Sequence, residues 1–187
     1  MRIKILLTFM IVVGVVCFFS KPQVTVLDKA PSIKVMVNEQ EVLYQLGVLP
    51  WNNQYVIRGE STTTMLMNRK VVPMVVSMKD KIYVDFGQYH KEKLELLMAY
   101  FLTSDGPEEE FLSDEDYKKL IELPNEERHY RVKRLLVGTI EELTQGKYVI
   151  SYKPELAEVG IQQIAVVGYW DGDKNKAEYS FFVRVVE

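Results

Sequence analysis

Cysteine occurs once in the 187 residues, at Cys17, and histidine only twice, at His90 and His129. With no second cysteine, no intrachain disulfide can form, so stability has to come from an ordinary core. The two histidines show neither HxH nor HExxH spacing, which excludes the common sequence signatures of a zinc site. Also missing are a G-x-S-x-G elbow, a G-x-x-x-x-G-K-[ST] loop and a G-x-G-x-x-G turn, so no catalytic or nucleotide-binding motif is legible. A basic stripe is lacking as well. With Arg2 and Lys4 set aside, 21 Lys+Arg stand against 26 Asp+Glu, a net charge of −5, which speaks against a nucleic-acid partner.

After residue 20 no segment approaches eighteen uninterrupted apolar residues. Before it there is one strong signal: Arg2 and Lys4 lead into Ile5–Phe19, an uncharged apolar run. That layout is an N-terminal signal peptide or membrane anchor over 1–20. Fifteen residues span about 22 Å as a helix, short of a bilayer core of about 30 Å, and snorkelling of Lys4 extends the reach. Three outcomes fit: a retained anchor, a lipoprotein acylated at Cys17, or a cleaved secretory signal. Val16 stands where a lipoprotein pattern expects a small residue, and no A-x-A site precedes an exit. In all three, basic residues at the start hold the N-terminus in the cytoplasm and send the remainder out. The expected location is the outer face of a bacterial cytoplasmic membrane, or beyond it.

Residues 21–31 read as a linker between Pro22 and Pro31. Region 32–70 opens with the alternating strand Ser32–Val37 and a turn at Asn38-Glu39-Gln40, a β-hairpin signature. Turns and short extended pieces follow, with a strand at Gln54–Arg58. Residues 71–187 read as a single β domain. Val71–Met78 and Lys81–Phe86 are strands parted by Lys79-Asp80, with Pro73 marking an edge or a start. Lys93–Thr103 fits both periods and is assigned as a strand because β segments precede it. Ser113 caps an acidic helix that Pro124 ends, within a stretch (105–128) of ten acids and three bases. Arg131–Ile140, Lys147–Tyr152, Gln162–Trp170 and Ala177–Val186 complete the strands, and their spacing implies a mainly β sandwich with one short inserted helix.

Each candidate for chemistry has a plainer alternative. Asp171, Asp173 and Asn175 match the opening of a calcium loop, but Lys176 and Phe182 occupy its glycine and glutamate positions, so a hairpin turn explains them as well. Trp51, Tyr55 and Trp170 are the aromatics an interface would use, yet such residues are first of all packing residues. The cluster Arg131-Val132-Lys133-Arg134 reads as pairing with neighbouring acids. No cofactor and no catalytic residue is expected.

The stretches YFLTSDG (100–106), GKYVISYKPE (146–155) and GIQQIAVVGYWDGDKNKAEYSFFVRVV (160–186) resemble bacterial immunoglobulin-like modules on cell-surface proteins. With Val35–Asn38 and Trp51, the whole chain also resembles small exported lipoproteins of Gram-positive bacteria. The resemblance implies an immunoglobulin-like sandwich and a binding or scaffolding role toward another envelope protein, with no catalytic residues to carry over. A wall hydrolase using paired carboxylates, or a calcium-dependent adhesion module, is the alternative.

Overall fold

The computed structural model describes residues 29–52, 60–89, 91–104, 110–135, 137–171 and 174–187. The apolar segment with Cys17 and the strand expected at 54–58 lie outside them. Strands β1 (Lys34–Val37), β2 (Gln40–Glu41) and β3 (Gln45–Val48) lead to helix α1 (Thr62–Asn68). Then come β4 (Met74–Ser77), β5 (Lys81–Asp85) and β6 (Lys93–Thr103), followed by helix α2 (Asp114–Glu122) and a 3₁₀ turn at Asn125–Glu127. Strands β7 (Tyr130–Arg134), β8 (Gly138–Thr144), β9 (Lys147–Tyr152), β10 (Gly160–Trp170) and β11 (Asn175–Val186) close the chain.

They form two sheets. The first runs β2-β1-β5-β9-β8; the second runs β3-β11-β10-β6-β7, with β4 beside β11 as its one parallel pair. Inward residues of both sheets build one core: Val35, Ile82, Val84 and Ile150 from the first, and Met98, Tyr100, Ile164, Val166, Phe181 and Val183 from the second. The chain is mainly β and sandwich-like, with α2 inserted between β6 and β7 as the sequence implied. Ser113 caps that helix by accepting from the Asp116 N–H, and Tyr117, Leu120 and Ile121 are its buried face.

A second apolar cluster covers Phe101 at the end of β6, while Leu97 on the same face of that strand is exposed. On the outward face of the second sheet, Phe101, Ile161 and Phe182 pack beneath Leu66 and Met67 of α1 and Tyr117, Leu120 and Ile121 of α2. Strands buried on both faces lose their alternation and read as continuous apolar runs. The Tyr117 hydroxyl donates to the Val71 carbonyl and ties α2 to the segment after α1.

Three expectations need correction. Helix α1 forms where the Ser61-Thr62-Thr63-Thr64 run implied turns. Ser61 is an N-cap accepting from the Thr64 N–H, and burial of Leu66 and Met67 outweighs the low helix propensity of three threonines. Arg131–Ile140 is two strands, one in each sheet: β7 ends at Arg134 in the second sheet and β8 begins at Gly138 in the first. Gly138 follows the switch, where a Cβ would lie 2.9 Å from the Ser151 carbonyl oxygen and 3.0 Å from Met98 Sδ. The hairpin at 38–39 is present, with Asn38 and Glu39 both at positive φ as a two-residue hairpin turn requires. Its return strand, however, is only Gln40–Glu41 before the chain crosses to the second sheet as β3. The common core also takes in residues before β4: β1 pairs with β5 and β3 with β11, and the Pro31 carbonyl accepts from the buried Tyr179 hydroxyl.

Candidate functional site

Four connections meet at one end of the two sheets: those following β3, β5, β8 and β10. Backbone hydrogen bonds lace them together. Phe86 N–H donates to the Gly146 carbonyl (2.8 Å), Glu92 N–H to Tyr169 (2.9 Å), and Lys176 N–H to Pro50 (2.9 Å). Asn52, Gly87, Gly146 and Asp171 all sit at positive φ here, the left-handed conformation that turns use.

Under these turns lies an aromatic array. Trp51 and Trp170 are in ring contact at 5.5 Å, and Phe86 touches Trp170 (6.2 Å), Tyr148 (6.0 Å) and Tyr179 (5.5 Å), the last two edge to face. The Trp170 ring folds back over Gly168, where a Cβ would lie 2.5 Å from it, so no larger residue fits beneath the indole. The indole N–H of Trp170 is buried and has no acceptor among the described residues.

Lys91 caps the array. Only 6% of the residue is exposed. Its Nζ lies 3.5 Å from the centroid of the Tyr148 ring and 4.3 Å from that of Phe86. Burial pulls the amine down from 10.5 to about 8, and the negative charge of Glu142 opposes that shift. Glu142 stands opposite Tyr148 in the β8–β9 register, and the two side chains are hydrogen bonded. Burial, reinforced by that bond and by the carboxylate's charge, raises the pKa of the Tyr148 phenol and keeps it protonated.

Beside this cluster Tyr169 lies under two lysines, Lys93 at 5.0 Å and Lys176 at 4.6 Å, and its hydroxyl donates to Glu95 at 2.5 Å. The Lys93 hydrogen bond first, and the Tyr169 hydroxyl second, lower the Glu95 carboxyl below its usual range.

The sequence-derived candidates fall partly in this region. Trp51 and Trp170 come together and are each 6% exposed, packed in the core of the loop end. Tyr55, Asp173, His90 and Cys17 lie outside the described residues. Asp171 is exposed, 3.5 Å from Lys174 Nζ. Asn175 is buried, and its Oδ1 already accepts the Asn52 N–H at 2.6 Å, so this oxygen secures the turn after β3. No group of three or more His, Cys, Asp or Glu gathers among the described residues. Lys91, Phe86, Tyr148 and Glu142 escaped the sequence reading. Lys91 stands in the charged run His90-Lys91-Glu92-Lys93, which reads as solvated, and only the crossing between sheets buries it.

The Lys91 charge is a burden on the fold. Replacing it with methionine keeps the stem and removes the desolvated ammonium, so Lys91→Met is expected to raise stability at pH 7 by about 1 kcal/mol. Because the folded value lies below the unfolded one, the unfolded state binds the proton more tightly between pH 8 and 10.5. The wild type therefore gains stability relative to Lys91→Met as pH rises from 8 to 10. Denaturant midpoints of both proteins at half-unit pH steps check this, and parallel curves would contradict it.

Neither a family model nor a curated protein sequence matches the chain.

Proposed function

We propose that this chain is an exported bacterial cell-envelope protein, held at the outer face of the cytoplasmic membrane by its N-terminal segment. Its β domain acts as a binding or scaffolding module for another envelope protein, without a catalytic role. The tether rests on the basic start followed by Ile5–Phe19.

The domain is read as immunoglobulin-like, and strand order supports this. Taking β1 as A, β5 as B, β9 as E and β8 as D, the first sheet runs A-B-E-D; the second runs G-F-C-C′ as β11-β10-β6-β7. Strand β4 lies parallel to the last strand, as an A strand that switches sheets does. The B–C, D–E and F–G connections then fall together at the end described above.

The observation that carries the binding reading is the state of that end. Among the described residues it keeps a desolvated amine and a buried indole N–H without an acceptor, where an apolar lid would be more stable. Groups held at a cost to the fold gather at functional sites.

The test uses the tagged full-length chain and a loop variant, Asp171→Arg with Lys174→Glu, for capture from native membranes. A stoichiometric partner retained by the wild type and lost from the variant is expected. Equal retention by both would move the interface elsewhere, and no partner in either would end the scaffold reading.

A further inference from the structure

The chain enters the domain at the loop end. Lys34, the first residue of β1, stands opposite Asp85, the last of β5. Just before it, the Pro31 carbonyl accepts from Tyr179, whose ring touches Phe86 of the aromatic array. The chain leaves at the opposite end, where Val186 of β11 lies beside Ser77 of β4. Residues 21–28, between the expected anchor and the first described residue, reach at most about 28 Å when fully extended at about 3.5 Å per residue. A tether so short holds the loop end nearest the bilayer. It leaves the far end of the strands roughly 35 Å beyond, the length of the eleven-residue β10.

Charge is divided along the same axis. Among the described residues, Lys29, Lys34, Lys93, Lys147, Lys174 and Lys176 stand at the loop end with the buried Lys91, against Asp85, Glu92, Glu95, Glu142 and Asp171. Three of these acids lie in exposed pairs with lysines of the same end: Asp85 with Lys147, Glu95 with Lys93 and Asp171 with Lys174. Such water-exposed pairs hold their members weakly. Helix α2 and the 3₁₀ turn join the far ends of β6 and β7. They carry Asp114, Glu115, Asp116, Glu122, Glu126 and Glu127 against Lys118, Lys119 and Arg128. The domain is therefore positive toward its tether and negative away from it.

We propose that the loop end docks on anionic lipid headgroups, its lysines facing lipid phosphates while the acidic end points away from the bilayer. This rests on the membrane tether of the proposed function and adds an orientation to it. An anionic surface attracts each lysine within a Debye length of about 10 Å and repels α2, so both ends of the charge distribution favour the same pose. The tether supplies the high local concentration that individually weak contacts need. A protein bound by this end has to reach it at headgroup level.

The experiment uses the full chain with Cys17→Ser and a single dye-labelled cysteine, at the loop end (Gln88→Cys) or at the far end (Asn125→Cys); both positions are exposed. Each protein is added from detergent to preformed vesicles of phosphatidylcholine, alone or mixed with phosphatidylglycerol, that carry an acceptor dye on their headgroups. Cosedimentation reads the tether separately: a chain left in the supernatant with both lipid mixtures would end the membrane-tether reading and this proposal with it. For the bound chain, energy transfer is expected to place the Gln88 label at the surface and the Asn125 label roughly 35 Å farther out, again the length of β10. The Gln88 label should sit closer with phosphatidylglycerol than without it. That difference should vanish at about 1 M salt, where the screening length falls to about 3 Å. It should vanish equally when Lys34→Gln, Lys147→Gln and Lys174→Gln are combined, three exposed positions. Equal distances for the two labels, or a Gln88 distance that ignores phosphatidylglycerol, would overturn the proposal while a cosedimenting tether stands. An approach seen only in vesicles made from native membranes would assign this end to a protein and overturn the lipid contact as well.

Discussion

Phe86→Ala is expected to lower stability by about 3–5 kcal/mol, since the ring is fully buried and touches four partners. Tyr148, Trp170 and Tyr179 all pack on it, and Lys91 Nζ lies over its face. Removing it opens a cavity between the two sheets at their loop end, where the pinned turns leave little room for collapse. Because the only two tryptophans of the chain, Trp51 and Trp170, sit at this end, their emission reports on it without background. A red shift in the folded variant should accompany the loss, and Lys91, with part of its hydrophobic seat gone, should titrate closer to 10.5. A loss under about 1 kcal/mol would mean that the ring is not part of a packed core.

Gly146→Ala is the second large effect, and for a different reason. The residue sits at φ +80°, and a Cβ there would stand 2.1 Å from the carbonyl oxygen of Gly87. Backbone cannot step aside as a flexible side chain can, so the β8–β9 turn has to part from the segment after β5. The conformational penalty alone is about 1–2 kcal/mol, and displacement of the turn brings the total to at least about 2 kcal/mol. Gly87→Ala is the internal control: it has φ +62° but nothing within 4 Å of its Cβ, so it bears the conformational penalty without the collision. Denaturant unfolding of both variants, with hydrogen exchange at the Phe86 amide, separates the two contributions. Equal losses would show that the contact between the turns is not what holds the loop end.

Several elements were legible because their cause is local. Ser113 with the acids behind it specifies the start of α2, and Gln145-Gly146 specifies the turn before β9. Alternation in Tyr179, Phe181, Val183 and Val185 placed one face of β11 in the core. Where the cause is distant, the reading failed. Helix α1 owes its place to Phe182 and its neighbours beneath Leu66 and Met67. Thr62 is also held from the sheet, its hydroxyl donating to Glu178 and lying within hydrogen-bond distance of the Ser180 hydroxyl. The break between β7 and β8 depends on close approach of Ser151 and Met98 to Gly138, which no window of sequence contains.

The candidate site divides in the same way. Trp51 and Trp170 stood out as aromatics beside turns, but their burial against each other and against Phe86 is a product of the sheets closing. Asn175 looked like a ligand in its turn, and only the approach of Asn52 from the other side shows its oxygen in use.

By itself the sequence determined that the chain is built mainly of strands, that one acidic helix interrupts them, and that stability rests on a core without disulfides. These follow from periodicity, capping and composition, which act over a few residues. The tertiary structure decided the rest: which strands share a sheet, that the first hairpin belongs to the same core as the last, and that Lys91 leaves water to lie on two rings. A lysine in a charged run is solvated until β5 and β6 are placed in opposite sheets, and its altered proton affinity arises from that crossing.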